Sequence, residues 1–148
     1  FTVRDKFVME KTMLFLKCFE SINEDFRSKL DKIICDQRYK DEIEERLIIA
    51  LDRFDESAKA EALFKFFVAR INNEIGQEDF MHYLYVLDKI DFNKLETFKK
   101  FYDSEQEFTN NSNLNSFAFV GLLQLVSRLD VMVFGKNDLG SKFLKILD

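Results

Sequence analysis

Residues 62–87, ALFKFFVARINNEIGQEDFMHYLYVL, hold two apolar helical patterns on either side of a charged, Asn-rich hinge. An Ile stands in the middle of the hinge and an acidic residue precedes a Phe at its end, which is the outline of a calcium-binding helix-loop-helix. The ligand positions decide against it. With Ile75 at the hydrophobic eighth position of a twelve-residue loop, Val68 falls at position 1, Arg70 at 3, Asn72 at 5 and Asp79 at 12. A hard cation needs oxygen at these places; Val offers none and Arg repels the ion. The stretch therefore reads as a turn between two packed helices, with Ile75 in the core and Asn73 in the left-handed conformation that ends the first helix.

Outward from this turn the same helical period continues. The chain has no proline, so helices run until Gly, Asn or Asp stops them. Thr2 and Asp5 form a capping-box variant at the start of a first helix that extends to about residue 22. Its stretch MLFLKCF is apolar on nearly all sides, which suits a helix at the centre of a domain or packed against a partner. A second helix places Phe26, Leu30, Ile33 and Ile34 on one face. Asp36 caps a third, with Ile43, Leu47, Ala50, Leu51 and Phe54 inward. Asp55 is the expected cap of the fourth, which buries Ala60, Leu63, Phe64, Phe67 and Ile71. Gly76 opens the next, with Phe80, Leu84 and Leu87 continuing the core. A short helix over NKLETFKKFYDS brings in Leu95, Phe98 and Phe101 or Tyr102.

Residues 104–116, SEQEFTNNSNLNS, are the one clear shift in composition and read as a polar loop or linker. Beyond them come a short helix ending near Gly121, apolar β-branched stretches at Gln124 to Val126 and Val131 to Phe134, and a helix from about Leu139 to Leu147. The expected fold is mainly α, a multi-helix bundle of about six or seven helices with a small C-terminal β-hairpin or winged-helix-like element. Its expected organisation is a helical domain over 1–103, the linker over 104–116, and a small α/β element over 117–148 packed on the same domain.

The 148 residues suffice for one domain with a real core, at 47% hydrophobic and 33% charged. The 18 Phe fall mostly at helical spacings, as core does, rather than forming a stacking platform for nucleic acid. A net charge of −5 with interleaved signs predicts no broad attraction to nucleic acid or anionic membrane. The short basic cluster of Lys94, Lys99 and Lys100 reads as a solvated helix face. Cys18 and Cys35 form no CxxC and sit among apolar residues, so they read as buried, reduced thiols, with a disulfide as the minority reading. No secretory signal and no apolar run of membrane-spanning length is seen. A chain that begins at Phe1 rather than Met reads as a piece of a longer protein, in which an upstream segment could provide targeting or anchoring.

Catalytic constellations are hard to assemble from these residues. His82 is the single histidine, so a two-histidine zinc site cannot be built within one chain. Asp79 and His82 stand at i, i+3, which is half of a di-metal carboxylate site; an exposed His82, or one bonded to Glu78 or Asp79, is the expectation. The carboxylates of DEIEER and DRFDE alternate with Lys and Arg as on a solvated face. The four glycines form no phosphate-binding loop. A non-enzymatic protein is therefore expected, with no catalytic, cofactor-binding or metal residue assigned and no cofactor.

Residues 52–80, DRFDESAKAEALFKFFVARINNEIGQEDF, resemble a bacterial helical family of unknown function whose members carry the gapless pattern D-R-L-D-x-x-x-K-A-x-x-L-x-K-L-F-x-A-x-I-x-x-x-I-x-x-x-x-F. Asp52, Arg53, Asp55, Lys59, Ala60, Leu63, Lys65, Phe67, Ala69, Ile71, Ile75 and Phe80 match as they stand. Phe54 and Phe66 replace Leu, and Asn73 replaces a frequent Gly. TVRDKFVMEKTMLFL and DLGSKFLKIL resemble the opening and closing of the family's helical region. The resemblance implies a mostly helical accessory or regulatory protein, intracellular, brought to membranes only through a segment upstream of Phe1.

Two functional expectations follow. The first is a non-enzymatic helical protein–protein interaction or regulatory module in the cytoplasm, whose partner is another protein or a second copy in a homodimer. The alternative is a nucleic-acid-binding regulator using the C-terminal winged-helix-like element; against it, the reading helix NSFAFVGLL carries no Lys or Arg.

Overall fold

Local chemistry sets the helix ends. Thr2 Oγ1 accepts from the Asp5 amide at 3.1 Å while the Asp5 carboxylate accepts from the Thr2 amide at 2.9 Å, a reciprocal capping box. These bonds hold the Asp5 pKa below its ordinary value. The computed structural model describes residues 2–105, 108–109 and 112–148. Among them are eight α-helices and one small antiparallel sheet, a mainly α fold with a C-terminal hairpin. The chain divides into two compact units, Phe1–Asp88 and Lys89–Asp148.

The first unit holds α1 (Val3–Lys17), α2 (Glu24–Ile34), α3 (Gln37–Arg53), α4 (Ala58–Ile71) and nearly all of α5 (Gln77–Lys89). The first helix stops at Lys17, and Cys18–Ser21 tighten into a 3₁₀ turn. Asn23 and Asp36 cap α2 and α3 through their side chains. The central helix is α4 rather than α1. Ten of its fourteen residues are buried, because Ala60, Ala62 and Ala69 let neighbours approach while Leu63, Phe64, Phe66 and Phe67 fill the space between them. Phe64 meets Phe15, Phe19 and Phe26 edge-on at 5.9, 4.9 and 6.5 Å, and Phe67 joins the same cluster. Such aromatic contacts add to the burial of the rings.

The turn after α4 is a Schellman motif. Asn73 has φ +59°, its amide donates to the Arg70 carbonyl at 3.1 Å, and the Glu74 amide donates to the Ala69 carbonyl at 2.9 Å. Ile75 is buried directly behind it, and Gly76 accepts the first bond of α5 from Phe80 at 3.0 Å. Two expected details differ. Ile34 is exposed: it is the last residue of α2, and only Phe26 of that helix is fully buried. Asp55 does not cap α4, which begins after Ser57 with no side-chain cap bond.

The second unit contains α6 (Leu95–Asp103), β1 (Phe108–Thr109), α7 (Asn115–Phe119), β2 (Gln124–Arg128), β3 (Val131–Gly135) and α8 (Asp138–Leu147). Strand order is β1-β3-β2, with Leu125 opposite Phe134 and Ser127 opposite Met132. The polar stretch 104–116 is not simply a linker. Its described residues supply β1, a 3₁₀ turn at Ser112–Leu114 with Leu114 buried, and the start of α7; residues 106, 107, 110 and 111 lie outside the described residues. The expected boundary after residue 103 also shifts, since α6 belongs to the second unit. Phe98 of α6 stacks face to face on Phe117 of α7 at 4.4 Å and meets Phe143 of α8 at 6.4 Å. Polarity there marks a surface excursion of one small core rather than a domain edge.

A polar knot ties that core. The Tyr102 hydroxyl donates to the Leu122 carbonyl at 2.7 Å and accepts from the Asn137 amide at 3.2 Å. Asn137 caps α8 by accepting from Gly140 at 2.8 Å and donates to the Gly121 carbonyl at 2.8 Å. Gly140 has to be glycine because a Cβ would collide with the Tyr102 hydroxyl and the Leu122 carbonyl.

Candidate functional site

The charged residues of the DRFDESAK stretch gather where α3 ends and α4 begins. The Arg4 guanidinium donates to both oxygens of Asp52, at 2.9 and 3.0 Å. Lys11 is 0% exposed, and its Nζ donates to the Phe54 carbonyl at 2.6 Å and to the Asp52 carbonyl at 3.2 Å. These carbonyls form the C-terminal end of α3, where a cation meets both unpaired acceptors and the negative end of the helix dipole. Burial pushes the Lys11 pKa down, while Asp52 and Asp55 act against that shift. Lys59, also 0% exposed, binds Asp55 Oδ1 at 2.7 Å and the Asp88 carbonyl at 3.4 Å near the end of α5. Arg53 reaches the Asp88 carboxylate at 2.9 Å. Two buried ammonium groups thus close two helix ends, and the motif holds α1, α3, α4 and α5 together.

A third buried cation answers the calcium question structurally. Arg70 donates to Gln77 Oε1 at 3.0 Å, to Asn73 Oδ1 at 3.4 Å and to the Tyr39 hydroxyl at 2.8 Å. Two side-chain oxygens of this turn, those of Asn73 and Gln77, are thus turned toward a guanidinium rather than left for a cation.

His82 differs from its expectation. It is half-buried beside the rings of Tyr83 and Tyr85, and its Nε2 is buried with no hydrogen-bond partner among the described residues. No group of three or more His, Cys, Asp or Glu that could hold a metal ion occurs among the described residues. Both cysteines are free, but neither is buried as expected. Cys35 is exposed at the end of α2, and Cys18 is half-buried with its Sγ donating to the Leu14 carbonyl at 3.3 Å. Burial raises the Cys18 pKa.

The surface that stands out is the outer side of α1. Lys11 and Phe15 face the core, whereas Met9, Met13 and Leu16 are 52%, 61% and 52% exposed. Met9 and Met13 border a depression of about 510 Å³ that reaches Asp52, and Met13 and Leu16 border another of about 350 Å³ toward Glu20. The apolar residues of MLFLKCF surround the helix, so its core side can bury only part of them. Among the described residues no helix is long and apolar enough to cross a membrane.

The second unit exposes apolar residues on its hairpin as well, where Leu125 and Met132 stand beside Phe134. Its α7 spans five residues, Asn115–Phe119, with no Lys or Arg. Comparison with protein-family models, with curated proteins and with solved structures finds no match to this chain.

Proposed function

We propose that this protein is a non-enzymatic helical interaction module and that the outer face of α1 is its contact surface. The observation that carries the reading is the arrangement of this helix: Lys11 is buried while Met9, Met13 and Leu16 on the other side are exposed. A soluble helix normally sorts these residues the other way. Lys11 is committed to closing α3, so the apolar residues opposite it are left for a partner. Exposed methionines suit such a role because their unbranched, polarizable side chains adapt to the surface they meet. The charged junction supports the same reading, since its cations are spent on helix ends and carboxylates of the fold.

The test is site-specific photo-crosslinking in the full chain. A photoreactive residue at Met9 should give a discrete adduct that disappears when Met13→Lys is added, and the same residue at Glu42, on the polar side of α3, should give none. Absence of an adduct from position 9 would defeat the proposal.

A further inference from the structure

We infer that the occupant of the α1 face is a second copy of the same chain, packed as an antiparallel α1–α1 pair centred on Met13; this rests on the interaction reading above. The argument is the charge pattern beside the apolar stripe. Met9, Met13 and Leu16 follow one another at helical spacings i, i+4 and i+7, and through the 3₁₀ turn Glu20 comes round beneath Lys17, three residues on. Lys6, Glu10 and Lys17 all lie along one margin of this stripe. In an antiparallel two-fold pair, each margin meets its own counterpart on the partner helix. Centring the pair on Met13 sets Glu10 against Lys17 of the other copy, and Lys6 against Glu20.

Each of these contacts occurs twice, with opposite charges every time. Within their own chain, Lys6, Glu10, Lys17 and Glu20 have no ion pair among the described residues and all are exposed. Glu10 and Lys17 are two turns apart on one helix, too far to pair with each other. The face is therefore self-complementary in charge as well as apolar. A parallel pair would not bring Glu10 to Lys17. A helix of this length is about 22 Å long, so the contact is smaller than a standard interface and association is expected on the order of 10–100 µM.

Sedimentation equilibrium on the purified full chain tests this with charge reversal. Glu10→Lys and Lys17→Glu should each weaken self-association by about tenfold, because two attractions become repulsions. An equimolar mixture of these two variants should recover it, since every facing pair is then opposite in charge, and so should the chain carrying both reversals. Circular dichroism melting of each variant establishes that it is folded, and Met13→Lys serves as the apolar disruption. A chain that stays monomeric to millimolar concentration overturns the second-copy proposal. So does a dimer indifferent to all the reversals, or one weakened by them but not recovered in the mixture.

A monomer that co-sediments with phosphatidylcholine–phosphatidylglycerol vesicles makes the face a lipid contact instead, and the proposal falls. The crosslinking experiment separates the two levels of inference. An adduct at position 9 of a mass other than twice the chain keeps the interaction module and removes the homodimer. No adduct removes both.

Discussion

Asp55 shows how a residue can be recognised in the sequence while its work is misread. Its place just before a helix suggests an N-cap, yet its carboxylate holds the fully buried Lys59 ammonium at 2.7 Å. Asp55→Ala should therefore cost about 1.5–3 kcal/mol, the range for hydrogen bonds to a charged group, measured by urea unfolding. A double-mutant cycle with Lys59→Met should show the two losses to be non-additive. Tyr83 gives a pH-dependent prediction. Burial, with Asp79 adding to it, pushes its pKa up to about 12 from an ordinary 10.0. The folded state then keeps the phenolic proton longer than the unfolded state does. This contribution is complete below pH 10 and lost as pH rises toward 12, about 2–3 kcal/mol in all. Tyr83→Phe should flatten that part of the stability profile, read from melting temperatures across the window. Lys11 was legible only in part: Phe7, Val8 and Phe15 stand at helical spacings from it, but the helix end that receives its ammonium lies far along the chain.

The helices and their stops were the most readable level, because period, capping and left-handed residues are local. Asn73 at φ +59° and the buried Ile75 match the reading of the hinge in full. Ile75→Ala should cost about 2–5 kcal/mol by leaving a cavity, and Asn73→Gly should be neutral or slightly stabilising. Millimolar Ca²⁺ should leave the melting temperature unchanged, since the Arg70 guanidinium sits in the turn on the Asn73 and Gln77 oxygens and repels the ion. The hairpin carries the opposite case. Leu129 and Asp130 have φ +47° and +63°, both left-handed, in a two-residue turn of the kind that prefers Asn-Gly. Leu129 is 98% exposed and gains no burial there. Leu129→Asn should stabilise the fold by roughly 0.5–1 kcal/mol, seen as a higher urea midpoint. The strands themselves could be read from β-branched runs, whereas β1 could not. Two residues in a polar segment become a strand only because β3 offers them an edge.

At the scale of the whole molecule, the outer face of α1 separates what a residue type suggests from where it lies. Met13→Lys should change folding stability by no more than about 0.5 kcal/mol, as for a surface site, while Phe15→Ala two residues on should cost about 3–5 kcal/mol as a core loss; chemical denaturation compares them directly. By itself the sequence determined the mainly helical class, the hinge after α4, the capping of α1 and α3 at their expected residues, and the C-terminal hairpin. All of these follow from short-range periodicity and backbone preference. Tertiary structure alone decided that α4 is the central helix, that α6 joins the C-terminal unit, and that Lys11, Lys59 and Arg70 are interior while Met9, Met13 and Leu16 are not. Periodicity tells which residues share a face, but a helix apolar all round has several faces to choose from. The choice is made where a buried ammonium finds the open carbonyls of another helix, and no local pattern contains that encounter.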